Sequence, residues 1–313
     1  MESHRNHVMF SPFINDMWMK YALGLLSAAI VTPAAAQIEK HFTVETNEEA
    51  QHVNLMLTAP SGICYVMPTR NPHPVNVYGH TTNQRTTPSL STSIDQSVHQ
   101  VNVNFATKES ESLSTTISRR MFGGSSDESW DKYKVYLSEN ESFELNMLYD
   151  AGEAFIDLSG LAVRRCKVDA GNADVEMSYR EAFGNQVEMD TFMAKVDMGT
   201  LTVDKVNLAR SKHIIADVGF GAMTLTFDDQ ELRPSKVVAT VGAGSLEVIL
   251  ESPTQPVIVR MHNSPLCHVK FSPDFQEISK NVWVNSAYHD GAKNLVTFDV
   301  EVSMGNLRFG YQE

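Results

Sequence analysis

Between Cys166 and Leu250 the sequence contains four similar segments: CKVDAGNADVEM at 166–177, AKVDMGTLTV at 194–203, IIADVGFGAMTLTF at 214–227 and VVATVGAGSLEVIL at 237–250. Each has a short run of alternating apolar and polar residues, a glycine and then a second such run. Successive side chains of a β-strand point to opposite faces of a sheet. The alternation therefore predicts pairs of short strands, each with one buried and one solvated face, joined at a glycine turn.

A repeat is found by counting backwards from Gly171, Gly199, Gly219, Gly242 and Gly305. The residues one, three and five positions before these glycines are all apolar or small. The first four glycines lie 28, 20 and 23 residues apart, and a period of roughly 20–50 residues is typical of coiled repeat proteins. The sequence thus predicts an all-β fold, a β-solenoid-like stack of short strands with glycine turns and about 20–23 residues per turn.

This alignment makes three further predictions. The first four of these glycines should have backbone conformations that a side chain resists. The 63-residue interval before Gly305 should contain two degenerate turns, at 257–261 and 282–284, closed by asparagine in place of glycine. One internal column should hold one residue from each of the first four turns, namely Val168, Val196, Ala216 and Ala239.

The glycine-centred strand pairs resemble a known group of proteins. VDAGNADVEM at 168–177 and ATVGAGSLEVIL at 239–250 are similar to segments of the toast-rack or "putative adhesin" families of secreted bacterial proteins. These families are similar to the C-terminal domain of the cell-wall-active antibiotic response proteins. The resemblance covers residues 150–250 and, more loosely, 251–313. It implies a β-solenoid-like stack and supplies no catalytic residues, because its motif is a structural repeat.

The first 36 residues have the features of a leader. A short basic start precedes an eleven-residue, mostly apolar run at 21–31, which is too short to span a bilayer. Three alanines at 34–36 provide a small-residue cleavage site. We expect translation to start at Met17 or Met19, and an exported chain, periplasmic or extracellular, to begin at Gln37.

The remaining chain is predicted to have two regions, an N-terminal β region at 37–149 with long polar loops and the solenoid domain at 150–313. Polar stretches at 81–97 and 108–129 indicate the loops. The net charge of −13 argues against nucleic acid or an anionic membrane as the main partner. No second long apolar run follows the leader, so no transmembrane segment is expected after it.

Asp169, Asp197 and Asp217 each stand two residues before a repeat glycine. If turns stack ~4.8 Å apart, these carboxylates would form a ladder that suits a hard cation such as calcium. Alternatively, Lys167 and Lys195 lie on the same side and would balance an ordinary solvated face. Because no dense ligand loop accompanies the ladder, the second interpretation is favoured and no metal or cofactor is predicted.

Reactive side chains form no recognisable motif. The nine histidines after the leader are scattered without a zinc signature, and no GxSxG, Walker loop or dinucleotide fingerprint is present. An odd number of cysteines favours free thiols, and Cys166 has the parity of a core residue. The cysteines are Cys64, Cys166 and Cys267.

Two classes of function fit these observations. The first is a non-catalytic secreted module for adhesion or cell-envelope binding, with a glycan, an envelope component or a protein as its partner. Trp130, Trp283 and Tyr288 could stack on sugars, although core or rim packing is the favoured interpretation. The second is a polysaccharide lyase or hydrolase on a β-helix, which would need clustered carboxylates or a basic and metal site in a groove. No such cluster can be named, so the first class is favoured and no catalytic residues are predicted.

Overall fold

The computed structural model describes residues 38–81, 88–105, 131–180, 183–229, 233–263 and 265–311. The predicted leader at 1–36 and the predicted loop at 108–129 lie outside these residues. Described strands and one 3₁₀ helix (Val206–Ala209) have the following bounds: β1 Ile38–Thr43, β2 His52–Ala59, β3 Ile63–Thr69, β4 Val75–Thr81, β5 Ser89–Asp95, β6 Val98–Asn104, β7 Lys132–Ser138, β8 Ser142–Asp157, β9 Ala162–Ser178, β10 Met189–Val196, β11 Thr200–Asp204, β12 Ser211–Val218, β13 Ala222–Phe227, β14 Ser235–Val241, β15 Ser245–Leu250, β16 Val257–Asn263, β17 His268–Phe271, β18 Gln276–Ser279, β19 Val282–Val284, β20 Val296–Val302 and β21 Asn306–Tyr311.

The strands pair in two ladders that share the long strands β8 and β9. The first ladder has the order β5-β6-β2-β8-β9-β10-β12-β14-β20-β16-β19-β18. The second has the order β1-β4-β7-β3-β8-β9-β11-β13-β15-β21-β17. Pairing is parallel except near the ends of the ladders, where β1–β4, β4–β7, β5–β6, β16–β19 and β18–β19 are antiparallel. The inward residues of both ladders form one apolar core. The described residues form 21 strands and one short 3₁₀ helix, so the prediction of a nearly all-β fold is confirmed.

The domain boundary predicted between 149 and 150 falls inside strand β8, Ser142–Asp157. Residues 37–313 form a single compact unit, because β8 pairs with β2 and β3 on one side and with β9 on the other. Part of the predicted loop at 81–97 is also a strand. β5 pairs with β6, and its mostly exposed serine and threonine side chains leave no apolar period for the sequence to reveal.

The register of the parallel strands corrects the predicted internal column. Val168 pairs with Ala194, which pairs with Ala216, and Ala216 pairs with Ala239. Val196 belongs instead to the neighbouring column, between Ala170 and Val218. All of these residues are buried. The prediction had the correct face of each strand but placed β10 two residues out of register with the strands beside it.

The reason for this shift is a second glycine position. Ala173, Gly199, Gly221, Gly244 and Gly305 follow one another across the turns, and a Cβ on any of the four glycines would overlap the carbonyl oxygen of the preceding member. Among the described residues, none of the repeat glycines has a φ in the left-handed region. The prediction of unusual backbone conformation at Gly171, Gly199, Gly219 and Gly242 is therefore wrong. Close backbone approach is what requires glycine in this second column.

The residue before each of these second-column glycines lies at the tip of the turn. Met198, Phe220 and Met304 are 57%, 76% and 60% exposed, and Leu266 beside them is 69% exposed. Counting from single glycines had placed Met198 and Met304 on the buried face. Their exposure follows from the turn itself, since the chain reverses direction there and the side chain points away from the core.

The order of the turns also differs from the order of the chain. β20 pairs directly with β14, and β16 pairs with the far side of β20. The segment at 257–261 therefore follows the Gly305 turn in space although it precedes it in sequence. The segment at 282–284 is β19, which pairs antiparallel with β16. The first predicted segment therefore does join the parallel ladder, as β16, with β17 following it in the second ladder. The second segment runs antiparallel to β16, so the prediction of a further repeat turn at 282–284 is wrong.

Two buried asparagines, Asn185 and Asn285, bind backbone groups at the connections between strands. The Asn185 amide donates hydrogen bonds to the carbonyl oxygens of Val163 (2.6 Å) and Ala209 (3.2 Å), and its oxygen accepts one from the Val163 N–H (2.8 Å). Asn285 accepts from the Val257 N–H at 2.9 Å and donates to the Gln255 carbonyl oxygen at 2.7 Å. These side chains satisfy backbone groups that the irregular connections would otherwise leave unpaired.

Candidate functional site

A small pocket lies on the outer face of the strands near one end of the second ladder. Its volume is about 250 Å³ and its lining is Thr69, Asn71, Asn76, Tyr78, His80, Lys134 and Tyr136. We call it the tyrosine pocket. Alternation in β4 and β7 creates it, because the valines of β4 and residues 133, 135 and 137 of β7 are buried while the residues between them point outward.

Cross-strand pairing brings the aromatic rings together. Asn76 of β4 pairs with Tyr136 of β7, and Tyr78 pairs with both Lys134 of β7 and His41 of β1. The rings of Tyr78 and Tyr136 meet edge to face, with centroids 5.6 Å apart and an interplanar angle of 89°. His41 stacks on Tyr78 at 4.2 Å. Such contacts hold the rings in fixed orientations, and both tyrosines remain partly exposed.

The rim of the pocket is fixed by hydrogen bonds between side chains and backbone. Asn71 has its N–H bonded to Thr69 Oγ1 at 3.2 Å, and its own Oδ1 accepts from the His73 N–H at 3.1 Å. Ser138 Oγ donates to the Asn71 carbonyl oxygen at 2.7 Å. Asn76 is buried, and its Oδ1 accepts from Thr43 Oγ1 at 3.2 Å. The loop that shapes the pocket is therefore held before any ligand arrives.

Three polar groups of the pocket have no partner among the described residues. Among the described residues, neither the Lys134 ammonium nor the hydroxyls of Tyr78 and Tyr136 make a hydrogen bond or an ion pair. The lining contains no carboxylate and no thiol. The arrangement thus offers aromatic faces, hydroxyl donors, an imidazole and a cation, but no pair of carboxyl groups.

The aspartate ladder does not form as predicted. The register places Lys195 between Asp169 and Asp217, and Lys195 Nζ lies 3.5 Å from Asp169 Oδ1 and 3.0 Å from Asp197 Oδ1. Hydrogen bonding to Asp197, followed by the charges of both carboxylates, raises the pKa of Lys195. A lysine therefore separates the carboxylates that were expected to stack, since β10 is shifted by two residues.

A different acidic cluster was missed by the sequence. Ligand atoms of Asp228, Asp229 and Glu251 lie within 4.8 Å of one another. Burial first, and then the charge of Asp228, raises the pKa of Glu251. Lys205 Nζ stands 3.5 Å from Asp228 Oδ2, so the buried carboxylate is already compensated. Asp228 and Asp229 follow β13 and Glu251 follows β15 at the equivalent position of the next repeat. The repeat spacing therefore carried the signal, but the alignment did not extend to the residues after these strands.

The other candidates from the sequence are structural. Burial raises the pKa of the Cys64 and Cys166 thiols to about 12, which leaves no reactive thiolate at neutral pH. Trp283 stacks on Phe271 at 4.5 Å and packs against the core. Tyr288 donates its hydroxyl hydrogen to Asp290 at 3.1 Å. Trp130 lies outside the described residues.

Comparison with known proteins gives distant likenesses only. No protein-family model and no curated protein matches the chain. A structure of a "putative cell adhesion protein" from Clostridium sporogenes ATCC 15579 is 14% identical, with a TM-score of 0.43, and the match covers 88% of this chain and all of the other. A "putative lipid binding protein" from Parabacteroides distasonis ATCC 8503 and a "putative adhesin" from Parabacteroides merdae ATCC 43184 are each 9% identical with a TM-score of 0.35. They cover 87% of this chain and 96% and 95% of their own. None of these likenesses assigns a function to this chain.

In the part of the chain that the structure describes, no helix has the length and apolar character needed to cross a bilayer.

Proposed function

We propose that this protein is a non-catalytic binding module that recognises glycans through the tyrosine pocket, in adhesion or in association with the cell envelope. One observation carries the proposal: two partly exposed tyrosine rings, fixed edge to face, stand beside the Lys134 ammonium, which makes no ion pair or hydrogen bond with the described residues. A sugar ring has an apolar C–H face and a rim of hydroxyls. An aromatic face with adjoining donors and acceptors matches both.

The fixed rim favours binding over catalysis. Binding to a pocket that is already shaped loses less conformational entropy than binding that must order a loop. A glycoside hydrolase would place two carboxyl groups roughly 5–9.5 Å apart across the substrate, and the lining of this pocket has none. The polysaccharide-acting enzyme considered from the sequence therefore has no support at this site.

The proposal also assigns roles to the two parts of the chain. Residues 37–149 carry the ligand site, and residues 150–313 form a β-solenoid-like stack that holds it rigid. Parallel pairing of successive strand pairs, each matched in register, supports the coil. Export to the periplasm or beyond is part of the proposal, with the leader features of residues 1–36 as its support.

A glycan array probed with the exported protein tests the proposal. We expect binding to a limited set of glycans, and at least a tenfold loss of affinity, equivalent to about 1.4 kcal/mol, in Tyr78→Ala and Tyr136→Ala. Tyr288→Ala is the matched control, because its ring lies outside the pocket lining and should leave binding unchanged. Glycan binding that survives both pocket substitutions, or release of new reducing ends from a polysaccharide, would overturn the proposal.

A further inference from the structure

Lys134 lies among aromatic side chains and not among carboxylates. It points outward from the middle of β7, with Tyr78 of β4 on one side and Tyr65 of β3 on the other. Each of these tyrosines is stacked on a further ring, His41 at 4.2 Å and Phe155 at 5.3 Å. The row therefore runs across five strands, with one cation at its centre.

Lys134 differs from several other lysines of the chain, which lie against carboxylates. Lys195 Nζ lies 3.0 Å from Asp197 Oδ1, and Lys212 Nζ lies 2.6 Å from Glu188 Oε1. Lys134 is partly buried and has no ion pair or hydrogen bond among the described residues. A ligand that brings the opposite charge would supply the partner that this ammonium lacks among the described residues.

Two acidic side chains of the neighbouring segments form ion pairs with other residues. Glu45 lies 3.6 Å from His73, and Glu139 lies 3.6 Å from Arg70. Neither forms an ion pair with Lys134. The overall charge of −13 does not prevent an anion from binding here, because salt screens exposed charges beyond about 10 Å at 0.1 M.

Resting on the proposed function, we infer that the tyrosine pocket takes a sugar that carries an anionic group, with that group against Lys134 Nζ. The hydroxyls of Tyr78 and Tyr136, which make no hydrogen bond to the described residues, would donate to the same ligand. A hydrogen bond in which one partner is ionised is stronger than a neutral one. Acidic sugars with a carboxylate or a sulfate are thus the ligand class, and their neutral counterparts should bind more weakly.

Calorimetric titration with matched ligands tests this inference. The probes are a galacturonic acid oligosaccharide, the same oligosaccharide as its neutral methyl ester, and a sulfated galactan oligosaccharide. We expect at least one anionic probe to bind tenfold or more tightly than the methyl ester, with affinity falling as salt increases. Tighter binding of the sulfated probe identifies sulfate as the anion, and tighter binding of the galacturonate identifies the carboxylate.

Two lysine variants separate the local cation from general charge. Lys134→Met should abolish the preference for the acidic probe and keep the methyl ester affinity, whereas Lys134→Arg should retain the preference. Lys132→Met removes a charge two residues away on the same strand and should change affinity less than threefold. The inference is overturned if acid and ester bind with equal affinity, or if Lys134→Met keeps the preference for the acidic probe. In that case the glycan proposal still stands, provided that Tyr78→Ala and Tyr136→Ala lose glycan affinity. Absence of binding to every probe, with tyrosine variants indistinguishable from wild type on the array, overturns both.

Discussion

The second glycine column should tolerate no side chain, and Gly221→Ala tests this against Gly219→Ala in the same turn. A Cβ at Gly221 would overlap the Gly199 carbonyl oxygen and stand 2.9 Å from Val196 Cγ2. That carbonyl accepts the Ala222 N–H at 3.1 Å, so moving it disturbs the ladder. A Cβ at Gly219 would stand 3.0 Å from the Asp197 carbonyl oxygen, which needs a smaller displacement.

The magnitudes follow from two opposing effects. Overpacking a close-packed site costs typically ~1–3 kcal/mol. Replacing glycine by alanine stabilises by about 0.4–1 kcal/mol through the unfolded chain, provided that the native backbone suits alanine. For Gly221→Ala the clash dominates and we expect a net loss of about 1–2 kcal/mol. For Gly219→Ala the two effects nearly cancel, so the change should lie within about 0.5 kcal/mol.

Urea unfolding followed by circular dichroism measures both variants against wild type, with the midpoint compared at constant slope. The reasoning would be refuted if Gly221→Ala were as stable as Gly219→Ala, or if the order were reversed. Either result would mean that the turns are not in the close contact that the register gives. Gly160→Ala provides the conformational contrast, because Gly160 has a φ of +68° and a Cβ added there would have no heavy atom within 4 Å. Its cost should be that of the left-handed conformation alone, about 1–2 kcal/mol.

Three further predictions concern the core, the connections and pH. Val196→Asp buries a carboxylate at a fully buried position and should lower the free energy of unfolding by more than about 4 kcal/mol. Met198→Asp, at an exposed position of the turn, should lower it little. Thermal melts and soluble yield compare the two variants. Asn285→Ala leaves the Val257 N–H unpaired and should cost about 1–3 kcal/mol by urea unfolding. Glu251 has a folded-state pKa raised above 4.5, first by burial, so its contribution to stability decreases as pH rises from about 4.5 through that pKa. Glu251→Gln should remove this decrease, and a melting temperature that depends on pH as in wild type would contradict it.

Local alternation was enough to predict which residues face the core. Val168, Ala216 and Ala239 were assigned to the buried face from the sequence, and all three are buried. The face of a strand depends only on the parity of its residues, which any single strand displays. Register depends on contacts between turns, and the single-glycine alignment did not contain that information.

A better signal was nevertheless present in the sequence. VDMG, VGFG, VGAG and VSMG, ending at Gly199, Gly221, Gly244 and Gly305, all have valine three residues before the second-column glycine. Alignment on this valine gives the observed register, including Val203 and Phe309 at matching positions after the turn. The insertion of β20 between β14 and β16 could not have been found in this way, because strand order in space is set by long-range pairing that leaves no local period.

The pocket was missed for the same physical reason. Tyr78 and Tyr136 have outward parity in their strands, but 58 residues separate them in the sequence. Only the antiparallel pairing of β4 with β7 brings their rings into contact. The tryptophans were candidates for sugar stacking because of their residue type, but Trp283 packs against Phe271. Aromatic residues at outward positions of neighbouring strands are a more informative pattern than aromatic content alone.

Two outward rows of side chains, one on the repeat strands and one on the N-terminal strands, differ in a way that favours a binding site on the N-terminal strands. Across the repeats one outward row reads Asp169, Lys195, Asp217, Thr240 and Glu301. In that row Lys195 lies 3.5 Å from Asp169, so the lysine already has a carboxylate partner within the row. On the N-terminal strands the corresponding kind of row reads His41, Tyr78, Lys134, Tyr65 and Phe155. Here rings flank the lysine on both sides, and the lysine makes no ion pair with the described residues. Its charge is therefore available for recognition at low structural cost, and Lys134→Met should change binding while leaving the melting temperature almost unchanged. Tyr78→Ala and Tyr136→Ala also remove ring contacts, so each should lower stability by about 0.5–1.5 kcal/mol as well as weaken binding.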